Sequence, residues 1–333
     1  MANIKDVAKR AGVSITTVSM VLNNTNNKIS EATRKKVIRA AKDLNYNPNS
    51  YARALASKKG NSIMVVIPDI VNPFYASIIK ELTYYARKKN YFLYIHNTNN
   101  QVMKEEEFIS ILKNNYFMAS FVVDRNVIGL SEEDIRKHNI IFLDEYDFTN
   151  RKTNIVTGNN EKGGYLAVEY LIKRGYKNIG MLIGPRSTAN SSRRLSGAIK
   201  ASMDYDVYID SSNMIHGDYS YEEGYKAGKF FLDKNVDAIF SFADMSSYGL
   251  INYFKEKNIE ISKDMSIISY DNLFFDEIIS PGLTSIDQNL KELAKEAIKM
   301  ADDLINDRKT KGKIVIEPRI VERESVGIKN ENS

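Results

Sequence analysis

Residues 3–22 place apolar side chains at the three- and four-residue spacing of amphipathic helices, in two short segments separated by Gly12. The pattern predicts one helix capped by Asn3, a tight turn at Gly12, and a second helix capped by Ser14. The two apolar faces can pack on each other, which leaves an outward row on the second helix: Ile15, Thr16, Thr17, Ser19 and Met20. Such side chains suit base edges in a DNA major groove, although a simple αα corner has the same pattern.

The next stretch continues the helical pattern and then breaks it. A third helix is predicted to begin at Ser30, with Val37, Ala41 and Leu44 on its inner face. Its outer face is basic, which fits either a solvated surface or contact with phosphates. Residues 49–57 form about two turns of helix-compatible sequence, too short to be stable alone because helix nucleation is costly.

From residue 63 onward, short apolar runs alternate with longer amphipathic stretches. This alternation predicts two α/β lobes built on parallel sheets, with buried strands at 63–67, 91–95, 120–123 and 140–143 in the first lobe and 178–183, 237–242 and 266–270 in the second. Ligands bind beyond the carboxyl ends of such strands, where this chain has four aspartates: Asp69, Asp144, Asp244 and Asp271. Carboxylates in a cleft between lobes suit a polyhydroxylated ligand, because each accepts hydrogen bonds from two hydroxyls.

Positive charge is concentrated in the first sixty residues. They contain twelve lysines and arginines against three acidic residues, a net charge of +9, whereas the whole chain has a net charge of +5. The remaining residues therefore have a net charge of −4. A small basic segment beside a larger, slightly acidic one is the distribution expected of a domain that contacts DNA phosphates.

Composition argues against several kinds of chemistry. The sequence has no cysteine, and its three histidines are scattered without ligand spacing, so we expect no disulfide and no metal site. No apolar run approaches twenty residues and the N-terminus is not apolar, so we expect a cytoplasmic protein without a membrane span. No carboxylate pair with catalytic spacing, phosphate-binding loop or activated nucleophile is evident. We therefore expect neither an enzyme with catalytic residues nor a cofactor.

Several motifs resemble the lactose-repressor (LacI/GalR) family of bacterial transcription regulators, along nearly all of the chain: Lys5-Asp-Val-Ala-Lys9, Ala11-Gly-Val-Ser14, Ser30-Glu-Ala-Thr-Arg34, Leu44-Asn-Tyr-Asn-Pro-Asn49, Asn72-Pro-Phe-Tyr75 and Arg319-Ile-Val-Glu-Arg-Glu-Ser325. The resemblance implies a small all-α helix-turn-helix headpiece (1–48), a hinge helix and linker (49–60), and a bilobal, periplasmic-binding-protein-like α/β core (61–333). It also implies a homodimer on pseudo-palindromic operator DNA, acting most often as a repressor that a sugar-type effector releases.

The resemblance also assigns residues to two sites. It implies DNA contacts by the outward row of the second helix and by Asn23, with the hinge residues Ala52 and Leu55 in the minor groove, where an inserted leucine kinks the duplex. In the core, it implies an effector site made of Phe74, Tyr75, Asp144, Asn190, Arg194, Tyr219, Asp244 and Asp271. A flexible linker whose leucine packs on the core is the alternative interpretation of the hinge.

Three departures from the family pattern affect these expectations. Met20 stands where many relatives have arginine, Ala243-Asp244 where Asn-Asp is frequent, and Asn159-Asn160 where Asp-Asn is frequent. The identity of the effector and of the operator is therefore left open. The alternatives are a solute-binding protein without a DNA role and a family member that uses a corepressor, either a purine or a phosphorylated carrier protein.

Overall fold

A computed structural model of the protein describes residues 2–22, 29–46, 61–115, 117–123, 126–144 and 153–329. The chain divides into two compact units, Met1–Asn61 and Ser62–Ser333. The predicted hinge helix, residues 49–60, lies outside the described residues. We call the first unit the headpiece and the second the core.

The described part of the headpiece contains three helices, α1 (Ile4–Ala11), α2 (Ile15–Leu22) and α3 (Glu31–Asp43). Asn3 and Asp6 form a reciprocal capping box at the start of α1, and Gly12 ends this helix with a left-handed φ of 66°. Each following helix begins at a serine whose Oγ accepts a backbone hydrogen bond, Ser14 from Thr17 N and Ser30 from Thr33 N. The helices share one apolar core whose buried members are Val7, Ala8, Val18, Val21, Val37, Ala40 and Ala41.

The core contains the regular elements of two lobes. From residue 62 to 216 the elements are β1 (Ser62–Ile67), α4 (Pro73–Lys88), β2 (Phe92–Asn97), β3 (Met103–Lys104), α5 (Glu105–Asn115), β4 (Ala119–Val122), β5 (Val127–Ile128), α6 (Glu132–Lys137), β6 (Ile140–Leu143), β7 (Asn154–Gly158), α7 (Asn160–Lys173), β8 (Ile179–Ile183), α8 (Ala189–Asp204), a 3₁₀ turn (Ser211–Asn213) and β9 (Met214–His216). The later elements are α9 (Tyr221–Asp233), β10 (Ala238–Ser241), α10 (Asp244–Glu256), β11 (Ser266–Asp271), a 3₁₀ helix (Phe274–Glu277), β12 (Thr284–Asp287), α11 (Leu290–Ile305), β13 (Lys313–Ile316) and β14 (Arg319–Val321).

Each lobe is built on a six-stranded sheet. The first sheet has the strand order β13-β7-β6-β4-β1-β2 and is parallel throughout, and the second has the order β14-β12-β11-β10-β8-β9. The second sheet is parallel except for β14, which pairs antiparallel with β12. The expectation of two parallel-sheet lobes is therefore confirmed, with one antiparallel edge strand.

The chain crosses between the lobes three times. It leaves the first sheet after β7 and enters α7 through Asn159, returns after β12 through residues 288–289 into α11, and crosses again between β13 and β14. Polar side chains join these crossovers, because Asn159 Nδ2 donates to Glu317 Oε1 over 3.0 Å and Arg319 Nε donates to Asp287 Oδ2 over 3.0 Å. A rotation of one lobe relative to the other would require a change of backbone conformation in these three short segments.

All seven strands predicted from apolar runs are present, and no end is shifted by more than two residues. The expectation that all of them are buried is wrong for β2. This strand lies at the edge of its sheet, and Phe92 and Tyr94 are 63% and 52% exposed. Among the described residues, no helix is both long and apolar enough to span a membrane.

Candidate functional site in the core and the outward helix of the headpiece

A cleft of about 450 Å³ lies at the carboxyl ends of the parallel strands of both lobes. The first lobe contributes Asn72, Phe74, Tyr75 and Asp144, and the second contributes Asn190, Arg194, Tyr219, Ala243, Met245 and Asp271. Seven of the eight predicted effector-site residues are therefore brought together here.

The aromatic wall of the cleft is set by the start of α4. Asn72 caps this helix by accepting a hydrogen bond from Phe74 N over 3.0 Å, and Pro73 occupies its first turn. The rings of Phe74 and Tyr75 meet edge to face with centroids 5.3 Å apart. Phe74 also packs into the core of the first lobe, which fixes the wall in place.

Arg194 is buried, and its guanidinium is held by three neighbours. Nε donates to Asn160 Oδ1 over 2.8 Å, Nη1 donates to the carbonyl oxygen of Phe242, and Cζ lies 3.6 Å from the ring centroid of Tyr270. Gly163 makes this stacking possible, because a Cβ there would overlap the Tyr270 ring. Burial by itself would lower the pKa of Arg194, but the surrounding tyrosines and carboxylates raise it above its ordinary value.

Two buried carboxylates face the cleft. Burial raises the pKa of Asp144 and of Asp271, and the nearby Arg194 guanidinium opposes that rise in both. Asp271 Oδ1 accepts a hydrogen bond from Gln288 Nε2 over 2.6 Å. Asp144 Oδ1 and Asn190 Oδ1, in contrast, have no hydrogen-bond partner among the described residues. The cleft therefore offers two buried acceptors that lack donors.

Three cleft residues have a backbone conformation that non-glycine residues rarely adopt. The φ angles of Asp144, Tyr219 and Asp271 are 61°, 71° and 123°. Left-handed conformations cost free energy in residues with a Cβ and tend to persist at binding sites, where the surrounding structure fixes them. Here they turn the ends of β6 and β11 so that both carboxylates face the same space.

Each charged cleft residue is hydrogen-bonded either to a residue in a crossover or to a residue in β7, the strand that precedes the first crossover. Thr157 Oγ1, in β7, donates to the carbonyl oxygen of Asp144 over 2.7 Å. Asn160 accepts from Arg194 and donates through Nδ2 to the carbonyl oxygen of Gly158 over 3.2 Å. The third link is the bond from Gln288 to Asp271. Two crossovers are thus linked directly to the cleft.

Asp244 is the one predicted effector residue that does not line the cleft. It is fully buried, and its two carboxylate oxygens accept hydrogen bonds from Leu273 N and Ser285 Oγ, each over 2.8 Å. Asp69, which also follows a strand, accepts a hydrogen bond from Val71 N and is likewise absent from the lining.

The predicted effector-site residues did not include Asn72, Ala243 and Met245, which also line the cleft. The Asn-Pro pair gave a usable signal for Asn72, since it marks a capped helix start next to an aromatic pair. Ala243 follows a predicted strand, which is also a usable signal. Nothing in the local sequence distinguishes Met245 from an ordinary helical residue.

In the headpiece, α2 presents the outward row predicted from the sequence. Ile15 and Thr16 are exposed, Thr17, Ser19 and Met20 are partly exposed, and Val18 and Val21 are buried against the other helices. The hydroxyl of Thr17 lies 2.8 Å from that of Ser14, at the helix N-terminus. Three predicted DNA-binding residues, Asn23, Ala52 and Leu55, lie outside the described part of the chain.

The other two helices of the described headpiece carry exposed basic side chains. Lys5, Lys9 and Arg10 are exposed on α1, and Lys35, Lys36, Arg39 and Lys42 on α3. Arg10 forms an ion pair with Asp43 over 3.9 Å, but both side chains are largely exposed, so this pair contributes little to stability. The headpiece thus combines a slim polar helix face with cations suited to phosphate contacts.

Two family models match the sequence. The model described as bacterial regulatory proteins, lacI family, matches residues 3–49, and the model described as a periplasmic binding protein-like domain matches residues 168–326. The first match contains α1, α2 and α3, and the second contains most of the second lobe.

Curated relatives match over nearly the whole length. The HTH-type transcriptional regulator DegA of Bacillus subtilis is 35% identical over 328 residues, 97% of each chain. The HTH-type transcriptional repressor PurR of Photorhabdus laumondii is also 35% identical, over 98% of this chain and 97% of the relative.

Solved structures share the fold. A Lac repressor dimer bound to operator and the anti-inducer ONPF has a TM-score of 0.83 at 24% identity, covering 97% of this chain and 98% of that one. A LacI family regulator from Enterococcus faecium with bound ribose has a TM-score of 0.72 at 24% identity, covering 81% of this chain and 100% of that one.

Proposed function

This chain belongs to the LacI family of bacterial regulatory proteins, and we propose that it is a homodimeric repressor that a small sugar-type effector releases from a pseudo-palindromic operator. As a member of this family it is a DNA-binding regulator of transcription. The sequence similarity extends over both units, so the headpiece and the core are expected to work together as in the relatives.

The outward face of α2 supports a role in reading base edges. Thr16 and Ser19 supply hydroxyls that donate or accept hydrogen bonds, and Ile15 supplies an apolar contact for a thymine methyl. The exposed lysines and arginines of α1 and α3 supply phosphate contacts, which position the headpiece without selecting sequence. Dimerisation would place two such helices on the two half-sites of an operator.

The observation that carries the effector proposal is the pair of unpartnered acceptors in the cleft, Asp144 Oδ1 and Asn190 Oδ1. A buried acceptor without a donor is costly, so a ligand that donates hydrogen bonds to both atoms is favoured. Hydroxyl groups supply such donors, and they also accept hydrogen bonds from the guanidinium of Arg194. A polyhydroxylated molecule therefore matches the polar part of the cleft, while Phe74 and Tyr75 can pack against its carbon skeleton.

The charges of the cleft favour a neutral effector over a phosphorylated one. Among the described residues, the lining contains two carboxylates, Asp144 and Asp271, and one cation, Arg194, whose Nε and Nη1 already donate to Asn160 and Phe242. A phosphate would be repelled by the carboxylates and would find only part of one guanidinium available. The bound ribose in the structurally similar Enterococcus regulator is consistent with an unphosphorylated sugar.

Release of DNA would follow from closure of the cleft around the effector. The hydrogen bonds of Asn160 and Gln288 link the cleft to two of the three crossovers, so a ligand that repositions Arg194 or Asp271 also acts on the segments that join the lobes. A coupling free energy of about 1–3 kcal/mol between cleft and operator site is typical of such regulators.

Thermal-shift screening of the full-length protein tests the effector class. The panel contains pentoses, hexoses and disaccharides, the corresponding sugar phosphates, and purines. An effector present at about a hundred times its dissociation constant stabilises the folded protein by about 2.7 kcal/mol, which gives a clear shift. Hits are then added to mobility-shift assays on palindromic fragments from the source genome.

The outcomes separate the alternatives. A neutral sugar that stabilises the protein and weakens operator binding supports the proposal. A sugar phosphate or a purine as the best ligand would contradict the proposed effector class. A ligand that strengthens operator binding would make the protein a corepressor-dependent regulator, and absence of binding to every palindromic fragment would contradict the role in repression.

A further inference from the structure

A second pair of carboxylates lies outside the cleft, fully buried in the second lobe. Asp244 is the first residue of α10, and Asp276 belongs to the 3₁₀ helix Phe274–Glu277. Both residues are 0% exposed, and Leu273 joins them, because its N–H donates to Asp244 Oδ2 over 2.8 Å and its carbonyl oxygen accepts from Asp276 N over 3.0 Å. Neither residue lines the cleft.

Asp276 has one oxygen that the described part of the chain does not satisfy. Its Oδ1 accepts a hydrogen bond from the Tyr248 hydroxyl over 2.6 Å, whereas its Oδ2 has no hydrogen-bond partner. Asp244 already uses both oxygens to accept hydrogen bonds from Leu273 N and Ser285 Oγ. Asp276 Oδ2 is therefore a buried acceptor without a donor among the described residues, and a proton on this carboxyl group would remove the cost of leaving it unsatisfied.

The other charged groups around the pair do not neutralise two carboxylates. Arg323 is a cation beside the pair. Its Nη1 is 3.8 Å from Asp276 Oδ2, and its guanidinium also donates to the carbonyl oxygen of Leu283 and to Asn272 Oδ1. Arg323 further contacts the exposed carboxylate of Glu277 over 3.5 Å. A third buried carboxylate, Asp271, adds negative charge from the end of β11.

Two adjacent buried carboxyl groups do not both ionise readily, because each charge is poorly solvated and repels the other. We propose that Asp244 and Asp276 share one proton at neutral pH and release it to solvent as pH rises, which makes the segment 271–277 a pH-sensitive part of the core. The proton completes the hydrogen bonding of Asp276 Oδ2 and removes one of the two charges. The pair titrates as a unit rather than as two independent groups.

The direction of the pH effect follows from the titration of the pair. Burial raises the pKa of Asp276 to about 7 and raises that of Asp244 well above its ordinary value, with the neighbouring carboxylate acting in the same direction on Asp244. In the unfolded chain both pKa values return to about 3.9. The folded protein therefore binds more protons between these limits, and its stability falls as pH rises from about 4 through about 7.

The segment beside the pair connects the cleft to the other lobe. Asp271 lines the cleft, and Leu273, whose backbone N–H is held by Asp244, packs into the hydrophobic core of the first lobe. A second charge at the pair would push the 3₁₀ helix away from the start of α10 and weaken the anchoring of Leu273. Loss of the proton thus loosens a contact between the lobes next to the ligand site.

The test compares the full-length wild-type protein with Asp276→Asn and Glu277→Gln between pH 5.5 and 8.5. Asparagine resembles the protonated acid and has no charge to lose. Glu277→Gln is the matched control, since it removes a neighbouring carboxylate that contacts the same arginine but is exposed. As pH increases from 5.5 to 8.5, we expect the difference in melting temperature between Asp276→Asn and wild type to change by about 3 °C or more in favour of the variant.

The melting temperature of the control Glu277→Gln should change with pH as that of wild type does, to within about 1 °C, as expected for an exposed charge. A pH dependence in Asp276→Asn equal to that of wild type would overturn the proposal, as would an equal change in both variants. If Asp276→Asn does not fold, Tyr248→Phe decides. It removes the hydrogen bond that stabilises the Asp276 anion. The pH at which half of the pH-dependent fall in melting temperature has occurred should therefore be about one pH unit higher than in wild type, and an unchanged value overturns the proposal.

Discussion

Arg194 is oriented before any ligand enters the cleft. Its stacking on Tyr270 and its bonds to Asn160 and Phe242 leave Nη2 as the donor group not engaged by these contacts. Since this preorganisation lowers the entropic cost of binding, Arg194→Ala should weaken effector binding about 10- to 100-fold. Operator affinity without effector should stay unchanged, because the headpiece is intact. Calorimetric titration of the effector and mobility-shift assays measure the two affinities separately.

Arg186→Ala is the control for the loss of charge, because Arg186 is exposed on the same lobe and does not line the cleft. It should bind the effector and respond to it as wild type does. If Arg194→Ala were still released from the operator at the wild-type effector concentration, Arg194 would not belong to the effector site.

The local sequence predicts some cleft residues and misses others for a geometric reason. Aspartates that follow a strand, such as Asp144 and Asp271, end at the edge of the sheet where ligands bind. Asp244 also follows a strand but is the first residue of α10, and its carboxylate turns inward to bind Leu273 N. Successive residues of a helix differ by about 100° in direction, so Met245 takes the position facing the cleft. A sequence does not reveal which of two adjacent residues points inward.

At the scale of whole elements, apolar runs located seven strands but not their order in the sheets. Seven strands of the described residues were missed. β7, β12 and β13 are partly polar or alternate in polarity, as in Thr284–Asp287, and β3, β5, β9 and β14 have only two or three residues each. The exposure of β2 was also missed, because its apolar composition is that of a buried strand while its edge position depends on residues far away in the chain. The composition of a segment thus predicts that it forms a strand more accurately than it predicts whether that strand is buried.

The helix α2 has one face that folds the headpiece and another that is available to DNA. Val18 is fully buried, so Val18→Ala removes two methylene equivalents from a small core and should destabilise the headpiece by about 2 kcal/mol. Hydrogen exchange of the backbone amides in residues 4–22 of the full-length protein should accelerate accordingly. Operator affinity should fall with it, since fewer molecules have a folded headpiece.

Ile15→Ala is the paired variant on the same helix. Ile15 is 44% exposed, so its truncation should leave amide exchange unchanged to within about twofold while weakening specific operator binding. Non-specific binding, which depends on charge, should keep its salt dependence. Equal acceleration of exchange in both variants would mean that Ile15 belongs to the headpiece core rather than to the DNA-facing surface.

At the scale of the whole molecule, the alternation of strands and helices predicts two lobes but not the three crossovers between them. The chain returns to the first lobe with α11 and β13 after completing most of the second. The pairing of β13 with β7 and the packing of α11 in the first lobe's core reveal this return. Because all three crossovers are short and joined by polar side chains, movement of one lobe is transmitted to the other along them. Asn160 is the residue at which the cleft and the first crossover meet.

Asn160→Asp should separate effector binding from operator release. The aspartate keeps the acceptor for Arg194 Nε but loses the amide that donates to the carbonyl oxygen of Gly158. We therefore expect the variant to bind the effector with an affinity within about threefold of wild type. The factor by which the effector weakens operator binding should be about fivefold smaller than in wild type, which is within the range by which single residues change such coupling. Asn178→Asp is a matched control, since Asn178 also accepts from a side chain and donates to a backbone carbonyl, but within one lobe. A wild-type ratio in Asn160→Asp, or an equal loss in both variants, would mean that Asn160 supports the second lobe without transmitting the state of the cleft.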